Sequence, residues 1–256
     1  MAVPPAPALL PGMALPGLFL VAWLVVPAGA GQAAESAVVQ EILDGKELYI
    51  DQQQARVKQT ARAPQQMSTR NSRGQILFNR GAVGRLNKFS QLRLGSSCFL
   101  VNRGQVLISG NQNGCTRSAR LSVRGTNYLM EVTEDGASDI SVLEGSVEVQ
   151  SLRDGEPSGG PPSILAAGQR LRLSPQGLVL ALLQLEEGDY QRILDGALFQ
   201  GFQIPLPGFG ALENHLRSRF PALRLPLPAG GGALPVPSLP TAPSPSLPSF
   251  GLPRLF

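Results

Sequence analysis

Val147 and Val149 alternate with Ser146, Glu148 and Gln150, the period-two pattern of a strand with one face buried and one face wet. Gln91-Leu92-Arg93-Leu94 and Arg170-Leu171-Arg172-Leu173 alternate in the same way, so each offers an apolar face to a core and a charged face to water. From Ala37 to Leu183 such segments are separated by Asp44-Gly45, Asn79-Arg80-Gly81, Asn113-Gly114, Asp135-Gly136 and Asp154-Gly155, all turn-forming combinations. Gly125 and Gly145 fall where the backbone must bend tightly. Many short strands with glycine corners predict an all-β fold, a rolled antiparallel β-sandwich or a solenoid-like roll. The repeats are too irregular for a strict solenoid period.

After Leu183 the period changes. Tyr190, Ile193, Leu194, Ala197 and Leu198 fall at helical spacing behind Glu186, Glu187 and Asp189, with Gly196 interrupting near the end. A second amphipathic segment, 211–219, sets Leu212 and Leu216 on one side, Glu213 early, and Arg217 and Arg219 late. Residues 184–220 are therefore expected to hold short helices, which could not stand alone in water. They are expected to cover an open face or end of the β domain; the alternative is a partner-binding helix. From 221 to 256 Pro, Gly, Ser, Ala and Leu dominate, a composition expected to be a disordered tail.

No charged side chain precedes Glu35, and Met13 to Val26 form an apolar run interrupted by Pro16. That run is shorter than the roughly 20 apolar residues of a membrane span. Ala28-Gly29-Ala30 offers a small-x-small cleavage site, so residues 1–30 read as a secretory signal peptide. The n-region lacks Lys and Arg, and an uncleaved membrane anchor or a misplaced start codon are the alternatives.

Val123-Arg124-Gly125-Thr126 leads into Tyr128, then Val142-Leu143-Glu144-Gly145-Ser146-Val147-Glu148-Val149, and finally Ala167-Gly168-Gln169 before Leu171-Arg172-Leu173. This order and spacing resemble the FecR domain, with Val123, Gly125, Thr126, Tyr128, Glu144, Gly145, Gly168 and Gln169 carrying the match over roughly residues 38–180. The resemblance implies an exported β domain that binds another protein in envelope sensing or signal transmission. Anti-sigma members of that family place a cytoplasmic helical segment and a transmembrane helix before the β domain. Only a short leader precedes it here, which argues against direct control of a sigma factor.

Cys98 and Cys115 enclose 16 residues, and in an exported chain they would meet an oxidising compartment. Phe99-Leu100-Val101, Asn102-Arg103-Gly104 and Gln105-Val106-Leu107-Ile108 read as strand, turn and strand, which would bring the cysteines together. A disulfide closing such a loop contributes about 3 kcal/mol on the chain-entropy argument; two buried free thiols are the alternative.

No catalytic constellation emerges from the sequence. His215 is the sole histidine, no Gly-x-Ser-x-Gly elbow occurs, the cysteines and histidine have no metal-ligand spacing, and no phosphate-cradling glycine loop is present. The expectation is a non-enzymatic protein with no cofactor and no metal.

Charge is segregated along the chain. Between Gln52 and Met130 there are 13 basic residues and no acid, whereas Glu131 to Gln200 holds twelve acids against four arginines. One reading pairs the two halves across the sheet. The other makes Arg70, Arg73, Arg80, Arg85 and Lys88 a basic face for an anionic envelope polymer, a lipid headgroup or an acidic protein. Export and the lack of aromatics among the arginines argue against nucleic acid. The sequence thus reads as a periplasmic or secreted FecR-like protein whose partner is an envelope protein, or alternatively an anionic envelope glycan. Membrane attachment would require an uncleaved leader.

Overall fold

The computed structural model describes residues 35–226. The expected leader and residues 227–256 of the expected disordered tail lie outside the described residues, while 221–226, assigned to that tail, are described, with Leu223 buried in the core beneath the helices. The first half of the chain forms β1 (Ser36–Leu43), β2 (Leu48–Ile50), β3 (Gln53–Gln54), β4 (Thr60–Arg62), β5 (Gln66–Thr69), β6 (Arg73–Phe78), β7 (Val83–Leu86) and β8 (Gln91–Leu94). Three long strands, β9 (Phe99–Gly110), β11 (Ala119–Val132) and β12 (Ser138–Arg153), follow with the short β10 (Gly114–Cys115) between the first two. The remaining strands are β13 (Glu156–Pro157), β14 (Ser163–Ala166), β15 (Gln169–Leu173) and β16 (Val179–Gln184), then helices α1 (Glu187–Leu194) and α2 (Phe209–Arg219). The all-β class read from the alternation is what the chain adopts.

Among the described residues the strands join one sheet with the path β16-β15-β12-β11-β10-β9-β7-β6-β1-β4. Every pairing is antiparallel except β9 with β10, where Gly114 lies opposite Phe99. The sheet rolls because its long strands bend. Gly104, Gly125 and Gly145 have φ of 87°, 54° and 84°, left-handed values that glycine alone adopts without a steric cost. The β11–β12 register shifts between Arg124 and Asn127, a bulge that turns both strands together.

Two of the expected turns take another form. Asn102-Arg103-Gly104 is a bend within the continuous β9, whose first half pairs with β8 and whose second half pairs with β7 and β11. Asn113-Gly114 leads into β10. Glycine is required at 114 by space, since a Cβ there would sit 2.7 Å from the Met130 sulfur and 3.1 Å from the Phe99 ring.

Alternating side chains of the central strands enter two different cores. Val106, Ile108, Tyr128, Met130 and Val142 point into the roll with Phe78, Phe99 and Leu92. Leu107, Leu129 and Leu143 point outward, yet they are buried beneath Tyr190 and Leu194 of α1, Leu212 and Leu216 of α2, and Leu198, Phe199 and Leu206 between the helices. Strands covered on both faces lose the wet half of the alternation, which is why residues 126–130 are buried without interruption. Each large side chain covered in this way contributes about 1.5–3 kcal/mol relative to exposure.

The helices are set by local chemistry. The Asp189 carboxylate accepts a hydrogen bond from the Glu186 backbone N–H at 3.0 Å, closing the start of α1 as in a capping box. The helix ends at Leu194, so Ala197 and Leu198 belong to the following turns rather than to a longer helix. The Tyr190 hydroxyl donates to the Leu143 carbonyl at 3.1 Å, fixing α1 to β12.

Candidate functional site

The residues that carry the sequence resemblance lie at and beside a corner of the sheet. Val123 is buried, and its N–H donates to the Asn113 side-chain oxygen at 3.0 Å. The Thr126 hydroxyl lies 2.9 Å from the Ser146 carbonyl and 3.0 Å from that of Arg124, so it spans the bend between the two strands. A Cβ on Gly145 would stand 3.0 Å from that hydroxyl oxygen. The Glu144 carboxylate accepts from the Asn127 amide at 2.9 Å, and the same amide donates to the Gly208 carbonyl just ahead of α2.

Tyr128 is wholly buried, its hydroxyl donating to the Gln112 carbonyl at 2.6 Å. Burial holds this phenol well above its ordinary pKa. The Gln112 amide in turn donates to Glu35 at 2.6 Å. Burial raises the Glu35 pKa, against the lowering effects of the Gln112 bond and the nearby Arg80. Gly168, with φ of 85°, donates its N–H to the Val142 carbonyl, and Gln169 accepts from the Ala166 N–H across the same turn. These motif side chains are therefore spent on the corner itself, and what they present to solvent is its outer surface.

That surface is a polar groove of about 580 Å3 lined by Arg80, Asn111, Asn113, Ser122, Arg124, Ser146, Glu148 and Ile164. Its floor follows from strand alternation. Ser122 and Arg124 alternate with the buried Leu121 and Val123, and Ser146 and Glu148 alternate with the buried Val147 and Val149. Pairing sets Arg124 opposite Ser146 and Ser122 opposite Glu148. Arg80 arrives from the turn after β6, and Asn111 and Asn113 from the loop between β9 and β10. Both arginines are exposed, and among the described residues neither takes part in an ion pair. The groove thus offers two guanidinium forks and two carboxamides beside one carboxylate, a donor-rich lining suited to carbonyl, carboxylate or sulfate oxygens.

The five basic residues read as one face do not assemble into one. Arg85 is 4 % exposed, donating at 3.0 Å to the carbonyls of Leu198 and Ile204 and at 2.7 Å to Gln75. Burial pushes its pKa down to about 10. Arg73 pairs with Asp44 and donates to the carbonyls of Ala197 and Gln200. Lys88 stands 3.7 Å from the same Asp44, while Arg70 lies over the Tyr49 ring. Only Arg80 reaches the groove. The physical reason is that residues 197–206 leave backbone carbonyls against β6 and β7, and buried carbonyls need donors.

Nor do the two charged halves match in the simple way the charge count suggests. Asp44, which holds Arg73 and Lys88, precedes the basic stretch. Arg103 with Glu134, at 3.9 Å, is the ion pair that joins the two halves among the described residues.

His215 is half-buried on α2, its Nε2 without a hydrogen-bond partner, and burial lowers its pKa. Among the described residues no group of three or more His, Cys, Asp or Glu is placed to hold a metal ion, and no helix is long and apolar enough to cross a membrane. Cys98 and Cys115 are joined as a disulfide, with their Cα atoms 5.9 Å apart, which fits an oxidising, non-cytoplasmic compartment.

Asn111, Asn113, Ser122, Ser146 and Glu148 are groove residues that no sequence motif singles out. The alternation carried a signal for the last three, since it assigns them to the wet face of β11 and β12.

No family model matches this chain, and no curated protein matches it. Among solved structures, two crystal structures of a protein from Parabacteroides distasonis, described as a "putative anti-sigma factor", are similar to it. Both are 18 % identical with a TM-score of 0.40, and they cover 59 % of this chain and 72 % and 73 % of their own. At that level the likeness carries no functional weight, and the chain's own residues must do so.

Proposed function

We propose that this chain is an exported, non-enzymatic binding protein of the FecR-like kind, acting in envelope sensing or signalling through contact with another envelope protein in the periplasm or beyond. The observation that carries this reading is the motif corner. Six of the eight residues of the resemblance lie in the bent β11–β12 ribbon, whose outer surface is an open, donor-rich groove. The disulfide supports an oxidising destination. A second reading, an anionic envelope glycan as ligand, is favoured by Arg80 and Arg124 standing unpaired in that groove.

Affinity capture from envelope extracts with the full chain and with an Arg80→Gln, Arg124→Gln variant tests the proposal. A defined protein held by the parent chain and lost by the variant supports the first reading, and polysaccharide lost in the same way supports the second. Capture of neither, or capture indifferent to both arginines, would refute the assignment of the groove.

A further inference from the structure

The wet face of the corner ribbon carries charge in an alternating pattern. Arg120, Ser122 and Arg124 alternate with the buried Leu121 and Val123 along β11, and all three are exposed. Register sets Gln150, Glu148 and Ser146 of β12 opposite them in that order. The exposed Glu148 is therefore level with Ser122, midway between the two arginines. Residues of a strand advance about 3.4 Å each, so Arg120 and Arg124 stand about 14 Å apart with the carboxylate about halfway. Among the described residues none of these three charged groups takes part in an ion pair. Beyond β12, β14 sets Ile164, 74 % exposed, opposite Glu148. The groove floor thus ends in an apolar side chain beside the carboxylate.

We infer that this face takes an extended segment of a partner protein in which two acidic side chains, four residues apart, flank a central lysine. The acids meet Arg120 and Arg124, and the lysine meets Glu148 with its stem over Ile164. The inference rests on reading the groove as a protein-binding surface, and it names what that surface selects.

Pitch selects an extended chain. Its side chains on one side recur at every second residue, about 6.8 Å apart, the same repeat as β11. An acid, a base and an acid at alternate positions therefore fall over Arg120, Glu148 and Arg124 together. In a helix the same two acids are separated by a rise of about 6 Å, too short for the arginines. The central carboxylate selects against a uniformly anionic chain, because the repeat that covers both arginines brings like charge to Glu148. Lysine suits the centre, since its aliphatic stem covers Ile164 while its amine reaches the carboxylate. Each guanidinium fork receives a carboxylate through two parallel bonds. Single exposed pairs of this kind are weak, so the order of the charges carries the selectivity.

NMR titration of the isotope-labelled full chain with the synthetic peptide Gly-Thr-Asp-Thr-Lys-Thr-Asp-Thr-Gly tests this. Shifts are expected at β11, β12 and β14, with a dissociation constant of about 1 mM or below. Moving one Asp by a single position turns it to the opposite side of the extended peptide and should weaken binding about fivefold, as should Glu in place of the central Lys. Arg120→Glu, at an exposed position, should weaken the parent peptide, and a peptide with Lys in place of one Asp should recover the loss. A change in folding would not reproduce that exchange. No shift at about 5 mM peptide, equal affinity for both Asp spacings, or shifts with polygalacturonate and none with the peptide would each overturn the inference. If the Arg80→Gln, Arg124→Gln variant still loses a captured protein while Asp spacing has no effect, the groove keeps its role and the charge pattern alone is refuted.

Discussion

The guanidinium of Arg85 lies 4.2 Å from the ring centroid of Phe202, and its three nitrogens are spent on Gln75, Leu198 and Ile204. Arg73 also reaches Phe202, its guanidinium 5.5 Å from the same ring. The Glu41 carboxylate accepts the N–H groups of Gln203 and Ile204 in the same segment. Three charged side chains from β1, β6 and β7 thus fasten residues 197–206 to the sheet. A positive charge count along a sequence says nothing of this, because an arginine serving backbone carbonyls needs no carboxylate nearby.

Replacing Arg85 by Ala should therefore be costly. The buried Leu198 carbonyl and the part-buried Ile204 carbonyl lose their donor and a cation over an aromatic ring is removed, so a loss of about 2–4 kcal/mol is expected in denaturant titration. Hydrogen exchange should speed up first at residues 197–206. Arg70→Gln, which removes an exposed cation from the Tyr49 ring, should cost no more than about 1 kcal/mol. Equal costs for the two would refute the clamp.

The two corner glycines should differ in tolerance. Gly125 has φ of 54° and open space where a Cβ would project. Gly125→Asn is expected to cost less than about 1 kcal/mol, since Asn adopts the left-handed region readily. Gly145, with φ of 84°, would press a Cβ against Thr126 and the Gly125 carbonyl at 3.0–3.2 Å. Gly145→Ala adds crowding to backbone strain and should cost about 2–3 kcal/mol. Matched thermal melts of the two variants decide the point.

Reducing Cys98–Cys115, or replacing both by Ala, should lower stability by about 3 kcal/mol without unfolding the chain, since Phe99 and Leu121 beside the bridge remain in the main core. A fully unfolded reduced protein would show that the bridge is a condition of folding rather than an addition to it.

Two carboxylates should respond to pH with opposite signs. Burial raises Glu35 above its ordinary 4.5, so the folded state binds its proton more tightly than the unfolded chain. That contribution is full below the ordinary value and is lost as pH rises through the folded value. Asp44 is lowered below 3.8, chiefly by the hydrogen bond from Arg73; its contribution is present above the ordinary value and is lost as pH falls through the folded one. Relative to the parent, Glu35→Gln should become more stable on going from about pH 4 to about pH 7, and Asp44→Asn less stable over a lower acid range. Parallel pH profiles for both variants would contradict the two assignments.

Strand identity, the corners at Gly125 and Gly145, and the helical face of Leu212 and Leu216 were all legible in the sequence, because each depends on neighbours a few positions away. The bend at Gly104 was not. Asn-Arg-Gly can make either a reverse turn or a kink in one strand, and the choice is settled by β7, β8 and β11, none of which the tripeptide can specify.

The groove was half legible for the same reason. Alternation sends Ser122, Arg124, Ser146 and Glu148 outward, but nothing local says that Arg80 and two asparagines stand beside them. Arg85 shares a strand face with Val83, and that face is buried only because residues more than a hundred positions later cover it.

That separation bears on the order in which the molecule can be completed. Arg73 and Ala197 are 124 positions apart and Arg85 and Leu198 are 113 apart, so the outward leucines of β9, β11 and β12 stay uncovered until almost the last described residue has emerged from synthesis. A polypeptide that cannot seal its second core early remains unfinished while its C-terminal portion is still being made. Delayed closure through distant contacts is slow, so the finished sheet must wait, its outer leucines bare, for the helices that complete the molecule.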